Sequence, residues 1–302
     1  MGHVIQWGAF GEAGRFIGLY ERIYSFHMPS FIFISGFLTY NREHFKGGFT
    51  NSLKQMCQKI GGLIVPYFVW GFILEGGFIT PGKGLWYVWS LAVYVAVYYC
   101  VGFIASKHIK YFDKLLAGLC FLLFCFSSLK GVSILGARSS LLPFFLLGVL
   151  ARRYEISFMR LCRSKWVVPT SLILGLILLI GYESHQEVSI AGHSFSGISV
   201  NAYRLLLAVS VTLALCCITI NFLNEPFWSY PFICIAAKVT LAIYAFHYIP
   251  VRVFCPKIQL TSASLIGQTG AYFLLSLGVG VMLSRIPVLS YLTIGIKRIK
   301  ST

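Results

Sequence analysis

Long apolar runs separated by short polar stretches extend along this chain from end to end. A helix needs about 20 mostly apolar residues to cross the hydrocarbon core of a bilayer. Nine runs approach that length: 24–40, 61–79, 86–105, 114–130, 139–151, 166–182, 203–222, 233–253 and 268–290. The pattern predicts an all-α fold, a polytopic transmembrane helix bundle of about nine helices. The run 139–151 (SSLLPFFLLGVLA) is short and contains Pro143, which lacks an amide N–H, so an earlier start, a tilt or a kink is expected there. No linker or fixed-period repeat divides the chain. Residues 1–302 are therefore expected to form a single integral-membrane domain, with any chemistry carried by side chains of helices and short loops.

Composition narrows the class. The chain is 57% hydrophobic and 11% charged, with a mean hydropathy of +0.78, far more apolar than a soluble domain of its length. A formal charge of +16 would suit nucleic acid if the cations formed one patch, but they fall in short clusters between the apolar runs. That distribution orients a protein in a lipid bilayer and argues against a nucleic-acid partner. Alternate loops beginning with 41–60 carry fourteen Lys and Arg, and the other set carries five. The positive-inside rule then places the C-terminus in the cytoplasm and residues 1–23 outside, in a multi-pass protein. Residues 1–16 lack the features of a signal peptide, and an outside start is unusual for nine helices, so a tenth helix is expected ahead of Met1 and the chain reads as N-terminally truncated. The nine cysteines show no C-x-x-C or metal-ligand spacing; they read as small packing residues, and no metal is expected.

Ionisable groups at membrane depth are costly and each is a functional candidate. They are His27, Glu75, Lys130, Arg138, Arg204, Lys238, His247, Arg252 and Arg285. The richest neighbourhood is IYSFHMPSFIFISGFLTY, residues 23–40. Pro29 deprives the Ser25 carbonyl of its helical partner, so a helix is expected to start or kink there. Ser30 and Ser35 flank the face carrying His27, and Ser35–Gly36 permits close approach of another helix. Two readings of His27 stand on this spacing: a structural histidine bonding across helices, and a chemical one. The topology puts both His3 and His27 near the outer side, where they would converge on one outward-facing cavity. Desolvation favours the neutral imidazole, which is also the form a general base must have.

SFHMPSFIFISGFL resembles the signature of the membrane-bound acyltransferase 3 family, and specifically its fucose 4-O-acetylase-like branch. KIGGLIVPYFVWG, GLWYVWSL, LLPFFLLGVLARR and TLAIYAFHYIP are similar in the same order, so the resemblance runs from about residue 3 to about residue 290. It implies a ten-helix bundle that moves acetyl groups from cytoplasmic acetyl-CoA to hydroxyls of cell-surface or lipid-linked carbohydrate, of the exopolysaccharide, capsule or O-antigen kind. Met1-Gly2-His3-Val4 looks like the end of the family's first helix, whose histidine is preceded by a basic residue that this chain does not contain.

The resemblance implies that His3 is the catalytic base or a transient acetyl carrier, with His27 orienting the base or the acceptor. Arg42, Lys54, Lys59, Arg152 and Arg153 are candidates for the phosphates of acetyl-CoA; their alternative role is to set topology. Trp86, with Trp89, would stack on a sugar or adenine or anchor at the interface. Ser35 and His247 complete the expected substrate-binding set. Two other functions remain open, a transporter of polysaccharide or lipid-linked sugar and an inactive truncated acyltransferase remnant. The first predicts substrate movement without consumption of acetyl-CoA.

Overall fold

The computed structural model describes residues 4, 13–41, 48–75, 85–105, 109–126, 133–182, 187–190, 193–196, 198–222, 235, 239–254 and 262–295. Helices dominate them: α1 (Ala13–Thr39), α2 (Gly48–Glu75), α3 (Trp86–Ala105), α4 (Ile109–Phe126), α5 (Leu142–Arg153), α6 (Glu155–Cys162), α7 (Val167–Ile180), α8 (Ile198–Phe222), α9 (Thr240–Phe246), α10 (Tyr248–Phe254), α11 (Ser262–Arg285) and α12 (Pro287–Ile294). Among the described residues, Phe49–Glu75, Trp86–Ile104, Tyr203–Asn221 and Ala263–Arg285 are long and apolar enough to cross a membrane. Helices α6 and α7, bent by 74° at their junction, would add a fifth span if counted together. The chain is a multi-pass membrane protein. The expected runs 86–105 and 203–222 lie within two of the four long helices, and 61–79 and 268–290 overlap the other two, which end at Glu75 and Arg285.

Elsewhere the apolar runs and the helices part company. Helix α1 continues through Pro29 back to Ala13, so the expected start at the proline does not occur; a membrane helix absorbs the lost bond through its neighbours and local adjustment. Pro143 lies in the first turn of α5, after a 3-10 turn over Ser139–Leu141, where a missing N–H is harmless. The 12 residues of α5 rise only ~18 Å. The stretch 152–165, expected as a loop, contains α6. Of the run 233–253, Thr240–Val251 is a short apolar helix in which α9 and α10 meet at His247 with helical backbone angles. Pro250 removes one bond there: without its N–H the Phe246 carbonyl has no i+4 donor. Two antiparallel hairpins, β1 (Ser133–Ile134) with β2 (Ala137–Arg138) and β3 (Glu187–Ile190) with β4 (His193–Ser196), are the only sheet among the described residues. The first turns tightly through Leu135 and Gly136, both at positive φ.

The chain divides into two compact units, one made of residues 1–23, 61–89 and 225–302 and the other of residues 24–60 and 90–224. In the second, α1 exposes Phe31, Ile34 and Leu38 along one stripe and buries Ser30, Gly36 and Thr39. This inverts the soluble pattern, as expected where lipid solvates the apolar face and small or polar groups make the helix contacts. The Ser30 and Thr212 hydroxyls share a 2.8 Å hydrogen bond between α1 and α8. Gly36 lies on the backbone of Phe145 in α5, and Gly148 of α5 lies on the backbone of Phe33 and Phe37; a Cβ at either glycine would stand 2.0 Å from a carbonyl oxygen. The close approach expected at Ser35–Gly36 is thus made, and α5 is the partner.

Helices α7 and α8 also pack closely in this unit, with Gly175 against Val211 and the Tyr203 hydroxyl donating to the Leu178 carbonyl. Asn221 donates to the carbonyls of Cys162 and Cys217, each at 2.8 Å. Cys162 and Cys217 are buried, as small packing residues should be, but Cys57 and Cys100 are exposed. On a lipid-facing surface a thiol is simply another small apolar group.

In the first unit, Tyr67, Trp70, Leu85, Val88 and Ala245 form a buried cluster edged by Tyr87, Trp89 and Tyr244. The Trp70 indole N–H donates to the Thr293 carbonyl at 2.9 Å, joining α2 to α12. Gly62 and Gly295 bring the same helices into backbone contact. Gly295, at φ +77°, has room for no side chain, since a Cβ there would stand 1.8 Å from the Gly62 oxygen.

Candidate active site

Two of the expected site residues, His3 and Arg42, lie outside the described residues. Val4, which follows His3 in the sequence, is buried in the first unit with Val251, Leu265 and Tyr272.

His27 occupies the middle of α1, half-buried. Tyr24 meets its ring edge-on at a centroid distance of 4.5 Å, and Phe31 does so at 6.4 Å. The aromatic edges restrict how the imidazole can turn. One helical turn beyond Phe31, the Ser35 hydroxyl donates to the Phe31 carbonyl at 2.8 Å, and Thr39 repeats the motif by donating to the Ser35 carbonyl at 2.7 Å. Ser35 therefore spends its proton on its own helix.

Three of the expected phosphate-binding cations gather around the Thr39 end of α1. The Lys59 ammonium donates to the Thr39 carbonyl at 2.9 Å, a cation at the negative end of the helix. Arg152 pairs with Glu155 and lies over the Phe37 ring at 5.2 Å. Arg153 grips Asp113 side-on: its Nε pairs with Oδ1 and its Nη2 donates to Oδ2 at 3.1 Å. Tyr154 donates to the same Oδ2 at 2.6 Å. Arg153 also lies over the Phe112 ring at 4.9 Å and reaches the Tyr40 hydroxyl at 3.4 Å. Burial works against the Arg153 charge, but Tyr40 and Asp113 outweigh it and push its pKa up. The hydrogen bond to Asp113 likewise pushes the Tyr154 phenol up, so this group stays neutral across the physiological range. Lys54, on α2, is exposed.

Asp113, Tyr40 and Tyr154 were not among the residues the sequence singled out. One signal for the first was present: Asp113 is the only aspartate in the chain, and it sits in one of the cationic stretches. A single carboxylate among clustered cations marks an ion pair, though not its partner.

The remaining expected residues belong to the first unit. Trp86 begins α3, half-buried, and meets Tyr87 edge-on at 6.4 Å. Tyr87 packs on Tyr244 at 5.3 Å, and Tyr244 on His247 at 6.0 Å. Trp86 and His247, 161 positions apart in the sequence, are thus linked through two tyrosines. Trp89 turns toward Tyr67 at 5.4 Å. Apart from Lys54, the described candidates therefore fall into three groups: His27 with Ser35 along α1, Lys59 with the two arginines at its end, and Trp86 with His247.

A family model described as an acyltransferase domain matches residues 1–285. No curated protein and no solved structure matches the chain.

Proposed function

The chain belongs to the acyltransferase 3 family, and on that premise we propose that it is a membrane O-acetyltransferase of the fucose 4-O-acetylase-like branch. It takes the acetyl group from cytoplasmic acetyl-CoA and places it on a hydroxyl of cell-surface or lipid-linked carbohydrate. The observation that carries this reading is the extent of the family match, which includes every candidate site residue from His3 to His247. The bundle is proposed to act as one membrane domain of the inner membrane, with its C-terminus in the cytoplasm.

A sugar hydroxyl is a poor nucleophile until a base takes its proton. In the proposed reaction the His3 imidazole accepts that proton as the hydroxyl oxygen attacks the thioester carbonyl. The C–S bond then breaks, the acetyl ester remains on the sugar, and the proton leaves with the CoA thiolate. His27, steadied by Tyr24 and Phe31, orients the base or the acceptor. Its distance along α1 from Thr39 is ~18 Å, which separates a reacting end from an end where Lys59, Arg152 and Arg153, with Arg42 and Lys54, meet the donor phosphates. Arg152 and Arg153 hold carboxylate partners, so Lys59, beside them at the end of α1, and the exposed Lys54 are the described cations proposed to take a phosphate, Lys59 by exchanging its carbonyl contact for a charged one. Trp86 and His247, which lie in one unit, contact the acceptor in this reading.

The test uses membranes carrying the wild-type chain, His3→Ala or His27→Ala at matched expression, with label followed from acetyl-CoA into carbohydrate. Transfer by the wild type and its loss in both variants is expected; undiminished transfer in the variants rules out these roles.

A further inference from the structure

Helices α6 and α7 meet at a bend of 74°, and the contacts on either side of it show where the span ends. Tyr203, where the apolar span of α8 begins, donates to the Leu178 carbonyl near the end of α7. Asn221, where that span stops, donates at 2.8 Å to the carbonyl of Cys162, the last residue of α6. The chain from the bend to Leu178 thus runs beside the whole α8 span. The eight residues of α6 rise only ~12 Å, and the bend lays them across the end of that span without prolonging it.

One side of α6 is occupied by protein. Phe158 packs on Phe33 and Phe37 of α1 at centroid distances of 6.0 and 6.3 Å, and Cys162 is buried. The other side exposes Ile156, Arg160 and Leu161, and the bend exposes Arg163, Lys165 and Trp166. Ile156 and Trp166 are 77% and 72% exposed, and the Lys165 ammonium stands 5.6 Å from the centre of the Trp166 ring. Arg152 and Arg153 are paired with Glu155 and Asp113, whereas Arg160, Arg163 and Lys165 have no carboxylate partner among the described residues. Three such charges do not belong in hydrocarbon, and an exposed tryptophan with two aliphatic side chains does not belong in open water. Both are at home where headgroup phosphates lie over the first methylene groups.

We propose that α6 and the α6–α7 bend lie in the surface of one leaflet and bind anionic glycerophospholipid, with Arg160, Arg163 and Lys165 on the headgroup phosphates and Ile156, Leu161 and Trp166 against the upper acyl chains. The lipid is anionic because a zwitterionic headgroup already offsets its phosphate with an ammonium group and leaves three cations uncompensated. This surface is independent of acyl transfer and stands whether or not the chain moves an acetyl group.

The test is tryptophan quenching in phosphatidylcholine nanodiscs holding the full chain. They are titrated with phosphatidylglycerol brominated near the glycerol end of one acyl chain, or with phosphatidylcholine brominated in the same way over the same mole fractions. The difference between wild type and Trp166→Phe isolates the signal of Trp166. Each Lys or Arg at an anionic surface is worth about a fivefold preference, so phosphatidylglycerol should quench Trp166 at much lower mole fraction than phosphatidylcholine. Arg160→Gln with Arg163→Gln should cut that preference roughly 30-fold, and Arg160→Lys with Arg163→Lys, which keeps the charge, should preserve it. Equal quenching by the two lipids in the wild type overturns the proposal, as does a preference that survives the glutamine pair. Acetyl-CoA should leave the preference unchanged; its abolition by acetyl-CoA would assign these cations to the acyl donor and overturn the lipid site.

Discussion

Gly36→Ala and Gly148→Ala probe whether the α1–α5 crossing holds His27 in place. Each substitution adds one methyl group, and each methyl would stand 2.0 Å from a backbone carbonyl oxygen, that of Phe145 or that of Phe33. Carbon-to-oxygen contacts settle at about 3.3 Å, so the helices must part by roughly 1.3 Å. Neither neighbour is a side chain that could turn away; both are helix backbone. Overpacking of this kind costs about 1–3 kcal/mol, and a shift of about 1 Å at a reacting group costs on the order of 100-fold in rate. Because α1 is continuous from Gly36 back to His27, the displacement reaches the imidazole. Thermal unfolding in nanodiscs and label transfer from acetyl-CoA should both respond, with activity falling further than stability. Gly118→Ala, at an exposed helical glycine with nothing within 4 Å of the added methyl, is the control and should leave both unchanged. Wild-type rates in Gly36→Ala and Gly148→Ala would refute the claim that this crossing positions His27.

Asp113→Asn leaves Arg153 half-buried without its countercharge; a loss of about 1–3 kcal/mol in stability is expected, with recovery in the charge-exchanged pair Asp113→Arg with Arg153→Asp, and no recovery would mean the pair acts only through shape. Lys59→Met removes the cation from the Thr39 carbonyl, which should lower stability by about 0.5–1 kcal/mol. If Lys59 also meets a donor phosphate, the acetyl-CoA KM rises while the acceptor KM does not, and KM values unchanged from wild type for both substrates would leave it a cap alone.

How far the sequence foretold this arrangement follows from what hydropathy measures. It reports where lipid contact is affordable, which for α3 and α8 nearly equals the helix: 86–105 was expected where Trp86–Ala105 is found, and 203–222 where Ile198–Phe222 is found. For α1 the measure stops short. Arg15, Glu21 and Arg22 read as loop charges, yet the helix carries them on to Ala13, since hydrogen bonding within a helix does not end where the apolar stretch does. Pro29 was read as a helix start or kink and Pro250 attracted no such reading, yet α1 runs on through the first and the second leaves the Phe246 carbonyl without its helical donor. Gly36 was identified as a point of close approach, but Phe145, 109 positions on, could not be named from spacing. The Asp113–Arg153 pair escaped for the same reason. His27 and His247 were legible as costly polar groups in apolar runs, while the contact of the His247 ring with the Ile243 carbonyl needed the coordinates.

The central claim is transfer of an acetyl group across the membrane to a sugar. Sealed vesicles of both orientations, carrying the wild-type chain or His27→Ala, can be given acetyl-CoA labelled in the acetyl group on the outside. Label should enter carbohydrate in inside-out vesicles, whose cytoplasmic face is exposed, and remain near background in right-side-out vesicles and in His27→Ala. Equal labelling in both orientations, or label in the carbohydrate of His27→Ala at the wild-type level, would contradict the account.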